Sequence, residues 1–303
     1  MRIRLGTRGS RLAVVQSEAV AASLRARGAE VEIVVIRTSG DRLAQVALAD
    51  FGGKALFVKE IEEALLAGQV DVGVHSLKDM PSELPDALTL GAFPPREDPG
   101  DVLLGRREGG WEALPAGAVV GTSSPRRRAM VLAWRPDLRT EPIRGNVDTR
   151  LEKLRGGAYD ALIMAAAGLR RLGLSPTYST PLDPTDFVPA VGQGVLAVEA
   201  RQADRELLEL LRGVDDTRTR LAALAERAFL ARLEAGCHTP VAGYGRLDDA
   251  TLVLTGVVSS PDGATMLRAT IEGPAATGER LGVALADELL AKGAKAVLDA
   301  SRE

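Results

Sequence analysis

Short runs rich in valine, isoleucine and leucine alternate with longer runs whose apolar positions recur at helical spacing through the first half of the chain. Arg2 to Thr7 reads as a strand, Ser10 to Arg27 as a helix, Glu30 to Arg37 as a strand, Leu56 to Gln69 as a helix, and Val70 to Leu77 as the next strand. Strands that alternate with amphipathic helices predict an α/β protein whose sheets are covered by helices on both faces. Two segments rich in proline and glycine, Phe93 to Asp101 and Phe187 to Gly194, bracket a second alternating set and read as paired crossovers between lobes. On that reading Val195 to Arg201 returns to the first lobe, and a cleft between lobes opens and closes about the crossovers.

The second set predicts strand Ala118 to Thr122, helix Pro125 to Trp134, strand Leu138 to Ile143, helix Val147 to Arg155 and strand Asp160 to Ala165. A long helix follows from Thr217 to Glu234, ended by Gly236. Beyond it the character changes. Thr251 to Val258 and Met266 to Glu272 alternate as strands joined by the turn Ser260-Pro261-Asp262-Gly263, and a last amphipathic helix runs from Gly278 to Lys292. The expected domains are residues 1–95 with 195–213, residues 100–189, and a small α+β domain over 217–303. No internal repeat stands out.

Composition narrows the chemistry. With 303 residues, 46% hydrophobic and 26% charged, the chain is long enough for several packed cores. A net charge of -3 gives no global basic field, so nucleic acid is a poor partner. No apolar run approaches a membrane span and the first residues lack a signal core, so a cytoplasmic protein is expected, with monomer as the default. One cysteine excludes an internal disulfide, and two histidines leave too few soft ligands for an ordinary zinc site.

Against that acidic background, arginines gather at helix starts, where the macrodipole is already positive. In Gly121-Thr122-Ser123-Ser124-Pro125-Arg126-Arg127-Arg128, Ser124 reads as N-cap and Pro125 as the first helical residue. The pattern recurs at Arg8-Gly9-Ser10-Arg11 and at Arg144-Gly145-Asn146, with Arg150 one turn on. A single arginine there is ordinarily a solvated side chain, but three such starts point to a shared ligand with several negative charges. Asp79, just beyond the strand Val70 to Leu77, reads as a turn aspartate or as a carboxylate among cations able to stabilise a developing positive charge. Gly52-Gly53-Lys54 follows a patternless loop, a lid with a mobile cation or a plain linker. A lone cysteine is by default a buried small hydrophobe. The glycine and proline neighbours in Gly236-Cys237-His238-Thr239-Pro240 argue instead for an accessible loop thiol.

Six segments in order carry a family resemblance: Gly6-Thr7-Arg8-Gly9-Ser10-Arg11-Leu12-Ala13, Gly52-Gly53-Lys54-Ala55-Leu56-Phe57-Val58-Lys59-Glu60, His75-Ser76-Leu77-Lys78-Asp79-Met80-Pro81, Gly121-Thr122-Ser123-Ser124-Pro125-Arg126-Arg127, Arg144-Gly145-Asn146-Val147-Asp148-Thr149-Arg150-Leu151 and Pro189-Ala190-Val191-Gly192-Gln193-Gly194. Nearly end to end, the chain resembles the porphobilinogen deaminases. Asp50, Ala55 and Pro125 depart from the usual pattern, and none touches the central chemistry.

The resemblance implies two periplasmic-binding-protein-like lobes with mixed sheets, and a third domain holding the cysteine loop. It implies condensation of four porphobilinogen molecules head to tail with loss of ammonia, then release of hydroxymethylbilane with water. The growing chain would sit on a dipyrromethane cofactor joined by a thioether to Cys237. By the same resemblance Asp79 is catalytic; Arg126, Arg127, Lys78, Ser124, Thr122, Arg144 and Gly145 hold the cofactor; and Arg8, Ser10, Lys54, Arg150, Arg171 and Gln193 bind substrate. Each added ring brings two carboxylates, which accounts for so many cations. The competing reading is a two-lobed binding protein for a polycarboxylate, which needs neither the thiol nor Asp79. A cysteine-dependent hydrolase lacks a histidine partner, because Cys237 and His238 are adjacent.

Overall fold

In a computed structural model of the protein, residues 1–38, 58–236 and 238–301 are described. They divide into two compact units, Met1–Glu97 with Val195–Arg220, and Asp98–Gly194 with Leu221–Glu303. After Gly194 the chain returns to the first unit.

The first unit is built on β1 (Arg2–Arg8), β2 (Glu30–Ile36), β3 (Val72–Ser76), β4 (Leu88–Ala92) and β10 (Leu196–Arg201), in the order β2-β1-β3-β10-β4. β1 runs parallel to β2 and β3, while β10 is antiparallel to β3 and β4. Helix α1 (Arg11–Arg25) and helix α6 (Arg205–Arg212) bury Val20, Leu24, Leu207 and Leu211 with Ile3, Leu5, Val72, Val74 and Val198. The other side chains of β3 point the opposite way, toward α2 (Lys59–Leu66), where Ile61 and Leu65 pack with Val70 and Leu88.

The second unit repeats that connectivity, which the sequence does not display as a repeat. Its sheet runs β7 (Arg139–Glu141), β6 (Val119–Gly121), β8 (Ala161–Ala165), β5 (Asp101–Gly105), β9 (Ser179–Leu182). Three strands are again parallel, and the crossover strand β5 is antiparallel to its neighbours. Helices α3 (Pro125–Trp134), α4 (Val147–Arg155) and α5 (Ala166–Arg171) follow the parallel strands.

The same unit holds an antiparallel sheet of β11 (Val241–Asp248), β12 (Thr251–Ser259) and β13 (Met266–Pro274). Helix α7 (Thr217–Arg232), α8 (Gly278–Ala291) and the short α9 (Ala294–Ala300), which the sequence reading does not foresee, accompany it. Phe229 of α7 is fully buried against Leu252, Leu254, Leu285 and Leu289. The β12–β13 turn has Gly263 at φ +73°, and a Cβ there would lie 2.3 Å from the carbonyl oxygen of Ala129, so glycine is needed where this hairpin meets α3.

Candidate functional site

The residues singled out from sequence fall into one set in each unit. In the first, β1 and β3 are adjacent and parallel, so the segments after their carboxyl ends leave the same edge of the sheet. That is the edge where open α/β sheets bind ligands. β1 ends at Arg8, and Ser10 caps α1 by accepting a hydrogen bond from the Ala13 amide at 3.3 Å. β3 runs into a single tight turn, Leu77–Asp79, pinned by buried Leu77 and Met80 and by the Leu77 amide, which donates to the Val195 carbonyl at 3.0 Å. Lys78 and Asp79 stay half-buried on the outside of that turn. Lys54, the two glycines before it, Asp50, Ala55 and the first two residues of the predicted Leu56 helix lie outside the described residues.

In the second unit β6, β7 and β8 are parallel, and the arginine segments after β6 and β7 leave one edge. Ser124 caps α3 by accepting from the Arg127 amide, Pro125 occupies the first turn, and Thr122 Oγ1 accepts from the Ser124 amide at 3.2 Å. Asn146 caps α4 by accepting from the Thr149 amide at 3.0 Å. Gly145 holds φ +106°, and a Cβ there would lie 2.9 Å from Thr149 Cβ; its carbonyl accepts from Arg150 Nε at 2.8 Å. Glycine therefore lets the chain turn tightly enough to bring Arg144, the cap and Arg150 together. After β8, α5 carries Arg171 near its end, where its guanidinium donates to the Gly194 carbonyl at 2.8 Å.

Arg126 and Arg127 are not the solvent-facing pair that their helix-start position implies. Both are buried and both donate to Asp101, Arg126 Nη2 to Oδ2 at 2.7 Å and Arg127 Nη2 to Oδ1 at 2.7 Å. Burial pushes the Asp101 carboxyl up, but the two guanidiniums outweigh it and hold it well below the usual carboxylate range. Two guanidiniums against one carboxylate leave the start of α3 positive. Arg150 feels this: burial lowers its pKa, and Arg127 lowers it further. Two cations held close enough to repel form a receptor for an anion.

Gln193, which the resemblance puts against substrate, has a fully enclosed side chain whose amide nitrogen donates to the Pro99 carbonyl at 2.8 Å and to Asp101 Oδ1 at 2.9 Å. Its carbonyl oxygen accepts from Arg127 at 3.4 Å. Gln193 thus ties both crossover segments to the arginine pair. Asp101 and Glu226 escape the sequence reading altogether. Glu226, fully buried in α7, accepts from the amides of Gly192 at 2.6 Å and Gly245 at 2.8 Å. The signal for Asp101 was a charge opening the apolar run Val102-Leu103-Leu104, a position that demands a buried partner.

Cys237 lies outside the described residues, and His238 beside it is exposed. On either side the chain is closed on itself: Thr239 Oγ1 donates to the Gly236 carbonyl at 2.6 Å, and the Thr239 amide donates to the same oxygen at 3.0 Å. Among the described residues, no group of histidine, aspartate and glutamate is arranged to hold a metal ion, and no helix is long and apolar enough to cross a membrane.

Two family models match the chain: porphobilinogen deaminase, dipyromethane cofactor binding domain, over residues 3–209, and porphobilinogen deaminase, C-terminal domain, over residues 220–291. A porphobilinogen deaminase of Desulforudis audaxviator is 52% identical over 296 residues, covering 97% of this chain and 96% of that protein. One of Geobacillus sp. (strain WCH70) is 49% identical over 306 residues, covering 100% and 98%. Among solved structures, the methionine binding protein MetQ gives a TM-score of 0.46 at 13% identity over 72% of this chain and 92% of that one. A periplasmic substrate-binding protein of an ABC transporter from Coxiella burnetii gives 0.43 at 16% identity over 72% and 94%.

Proposed function

Because this chain belongs to the porphobilinogen deaminase family, we propose a role for each of its site residues in that reaction. The protein is a transferase of tetrapyrrole biosynthesis: it condenses four porphobilinogen molecules head to tail with loss of ammonia and releases hydroxymethylbilane with water. Its cofactor is dipyrromethane. When bound through a thioether to Cys237, the cofactor supplies the terminal pyrrole on which the product grows.

The residues present fit such a group. Pyrrole acetate and propionate arms are carboxylates, and the capped starts of α3 and α4 combine helix dipole, backbone amides and guanidiniums that repel one another until an anion arrives. Arg127, Thr122, Ser124, Arg144, the Gly145 backbone and Lys78 hold cofactor carboxylates, and Arg126 keeps the pair with Asp101 in place. Arg8, Ser10, Lys54, Arg150 and Arg171 receive those of substrate, while Gln193 supports Arg127 from behind.

Asp79 is the catalytic residue. Its carboxylate, presented on a turn whose backbone is pinned from both sides, accepts pyrrole N–H groups and lowers the cost of positive charge as ammonia leaves. We also assign a cytoplasmic monomer; the single cysteine, which must stay a reduced thiol until it is loaded, supports the reducing compartment.

The observation that carries this reading is the pair of capped, arginine-bearing helix starts, α3 and α4, that leave one edge of the sheet where the parallel strands β6 and β7 end. The test is the intact mass of purified protein with and without Cys237→Ser, read beside product formation from porphobilinogen. An adduct of two pyrrole units present only with the cysteine is expected; wild-type protein of unmodified mass that still makes product overturns the covalent assignment.

A further inference from the structure

The first unit buries a polar cluster that plays no part in the chemistry above. His75 on β3 and Glu199 on β10 share the face of the sheet that α2 covers: in the antiparallel register Ala197 lies opposite His75 and Glu199 opposite Gly73, which makes the two side chains diagonal neighbours. They reach each other because position 73 has no side chain. A Cβ at Gly73 would lie 2.9 Å from His75 Nε2 and 2.6 Å from Ile61 Cγ2. The imidazole fills that space and brings Nε2 to 3.0 Å from Glu199 Oε2, with both side chains enclosed.

Glu62 of α2 completes the cluster. Burial and repulsion from Glu199 push its carboxyl up to about 7, His75 pulls the other way, and Glu63 adds a smaller repulsion. Among the described residues no aligned hydrogen bond reaches His75 Nε2, either oxygen of Glu199 or Oε1 of Glu62, so the 3.0 Å approach of Nε2 to Oε2 is a close polar contact and not a well-directed hydrogen bond. Three such groups cost more than well-packed apolar side chains would in the same volume. What a polar cluster adds is discrimination: it accepts one register of β3 on β10, because a slip of one residue would turn His75 or Glu199 to the opposite face.

That register matters for the turn. His75 precedes Lys78 by three residues and Asp79 by four. Between them Ser76 accepts a hydrogen bond from Gln16 at 3.0 Å, and the Leu77 amide donates to Val195 at the start of the same returning chain that carries Glu199. We propose that His75, braced by Glu199 and Glu62, is a positioning residue for the turn that presents Lys78 and Asp79, an inference that rests on the catalytic reading of Asp79. Glu62 is buried on the helix that covers this face, so ionising it would set a second carboxylate against Glu199 and strain the brace.

Two measurements on the loaded enzyme test this. The first is amide hydrogen exchange. In Glu199→Gln and His75→Gln the amides of Leu77 and Met80 are expected to exchange about tenfold faster or more, with those of β12 unchanged; unchanged exchange at the turn, or an equal rise everywhere, overturns the proposal. The second is the pH profile of kcat. Wild type is expected to lose kcat as pH rises through about 7, and Glu62→Gln, which keeps the neutral form and shape, to remove that limb with KM within about twofold; a limb left in place overturns it. Glu62→Gln also carries the test if the other two variants do not fold. A wild-type protein inert toward porphobilinogen would instead sink the catalytic reading, and the exchange data would still decide whether the brace holds the turn.

Discussion

Asp101 and Arg127 meet at 2.7 Å with both side chains buried, at the point where the first crossover strand passes the start of α3. The ionised carboxylate is shared by both guanidiniums, so it is the counter-charge that the described residues give them in that interior. Asp101→Asn keeps the shape and removes the charge, leaving two buried cations side by side. Breaking a buried ion pair from one side costs about 3 to 5 kcal/mol, so the urea midpoint of the variant should fall steeply. The fraction loaded with the two-pyrrole adduct, read by intact mass, should fall with it. A variant as stable and as fully loaded as wild type would show that Asp101 is not what holds the pair.

The arginine-rich helix starts were legible because caps leave local marks: Ser124 before Pro125 and Asn146 four residues before Arg150 announce α3 and α4 without tertiary information. The partners of those arginines were not legible. Asp101 sits in a segment whose prolines and glycines read as linker, and it meets Arg126 and Arg127 only after the chain has travelled some 25 residues, a pairing that periodicity does not encode. The same holds for Gln193. Its motif marks the position as special, yet the motif does not say that the amide turns inward to Pro99 and Asp101. Edge strands β4 and β9 and short helix α5 leave no mark in the sequence for a plainer reason: four to six residues with a glycine or proline give no clear period.

Gly145→Ala tests whether the α4 start is built for close approach. At φ +106° an added Cβ is strained and also strikes Thr149. A cost of about 1 to 3 kcal/mol is expected from the backbone alone. Because Arg150 Nε is held by the Gly145 carbonyl, KM for porphobilinogen should rise more than kcat falls. Steady-state kinetics beside a melting curve separate the two effects, and an unchanged KM would remove Arg150 from substrate binding.

Asp79→Asn keeps the turn and the volume but removes the negative charge. If the carboxylate stabilises charge that develops only during reaction, kcat should fall by about a hundredfold or more while KM moves little. Lys78 provides the contrast, since Lys78→Met should reduce loading with cofactor. Equal losses of kcat in both variants, with loading intact, would mean that the turn as a whole matters rather than the carboxylate.

Stability should depend on pH from both sides, for reasons that separate cleanly. Asp101 and Asp71 are held below the usual carboxylate range: burial works against them, but Arg126 and Arg127 outweigh it at Asp101, as Arg4 and Arg201 do at Asp71. Their stabilisation is complete above the ordinary value of 3.8 and is lost as pH falls through the depressed folded-state values. Glu62 has the opposite sign. Its folded-state value of about 7 lies above its ordinary 4.5, so its favourable share is complete below 4.5 and disappears as pH rises through about 7. That share amounts to at most about 3 kcal/mol. Denaturant unfolding across the pH range should therefore show a maximum on the acid side of neutrality, and Glu62→Gln should flatten the descent above it while leaving the acid limb in place. If the descent persists in Glu62→Gln, another group titrates there, and the buried cluster of His75, Glu199 and Glu62 is not what limits the fold at high pH.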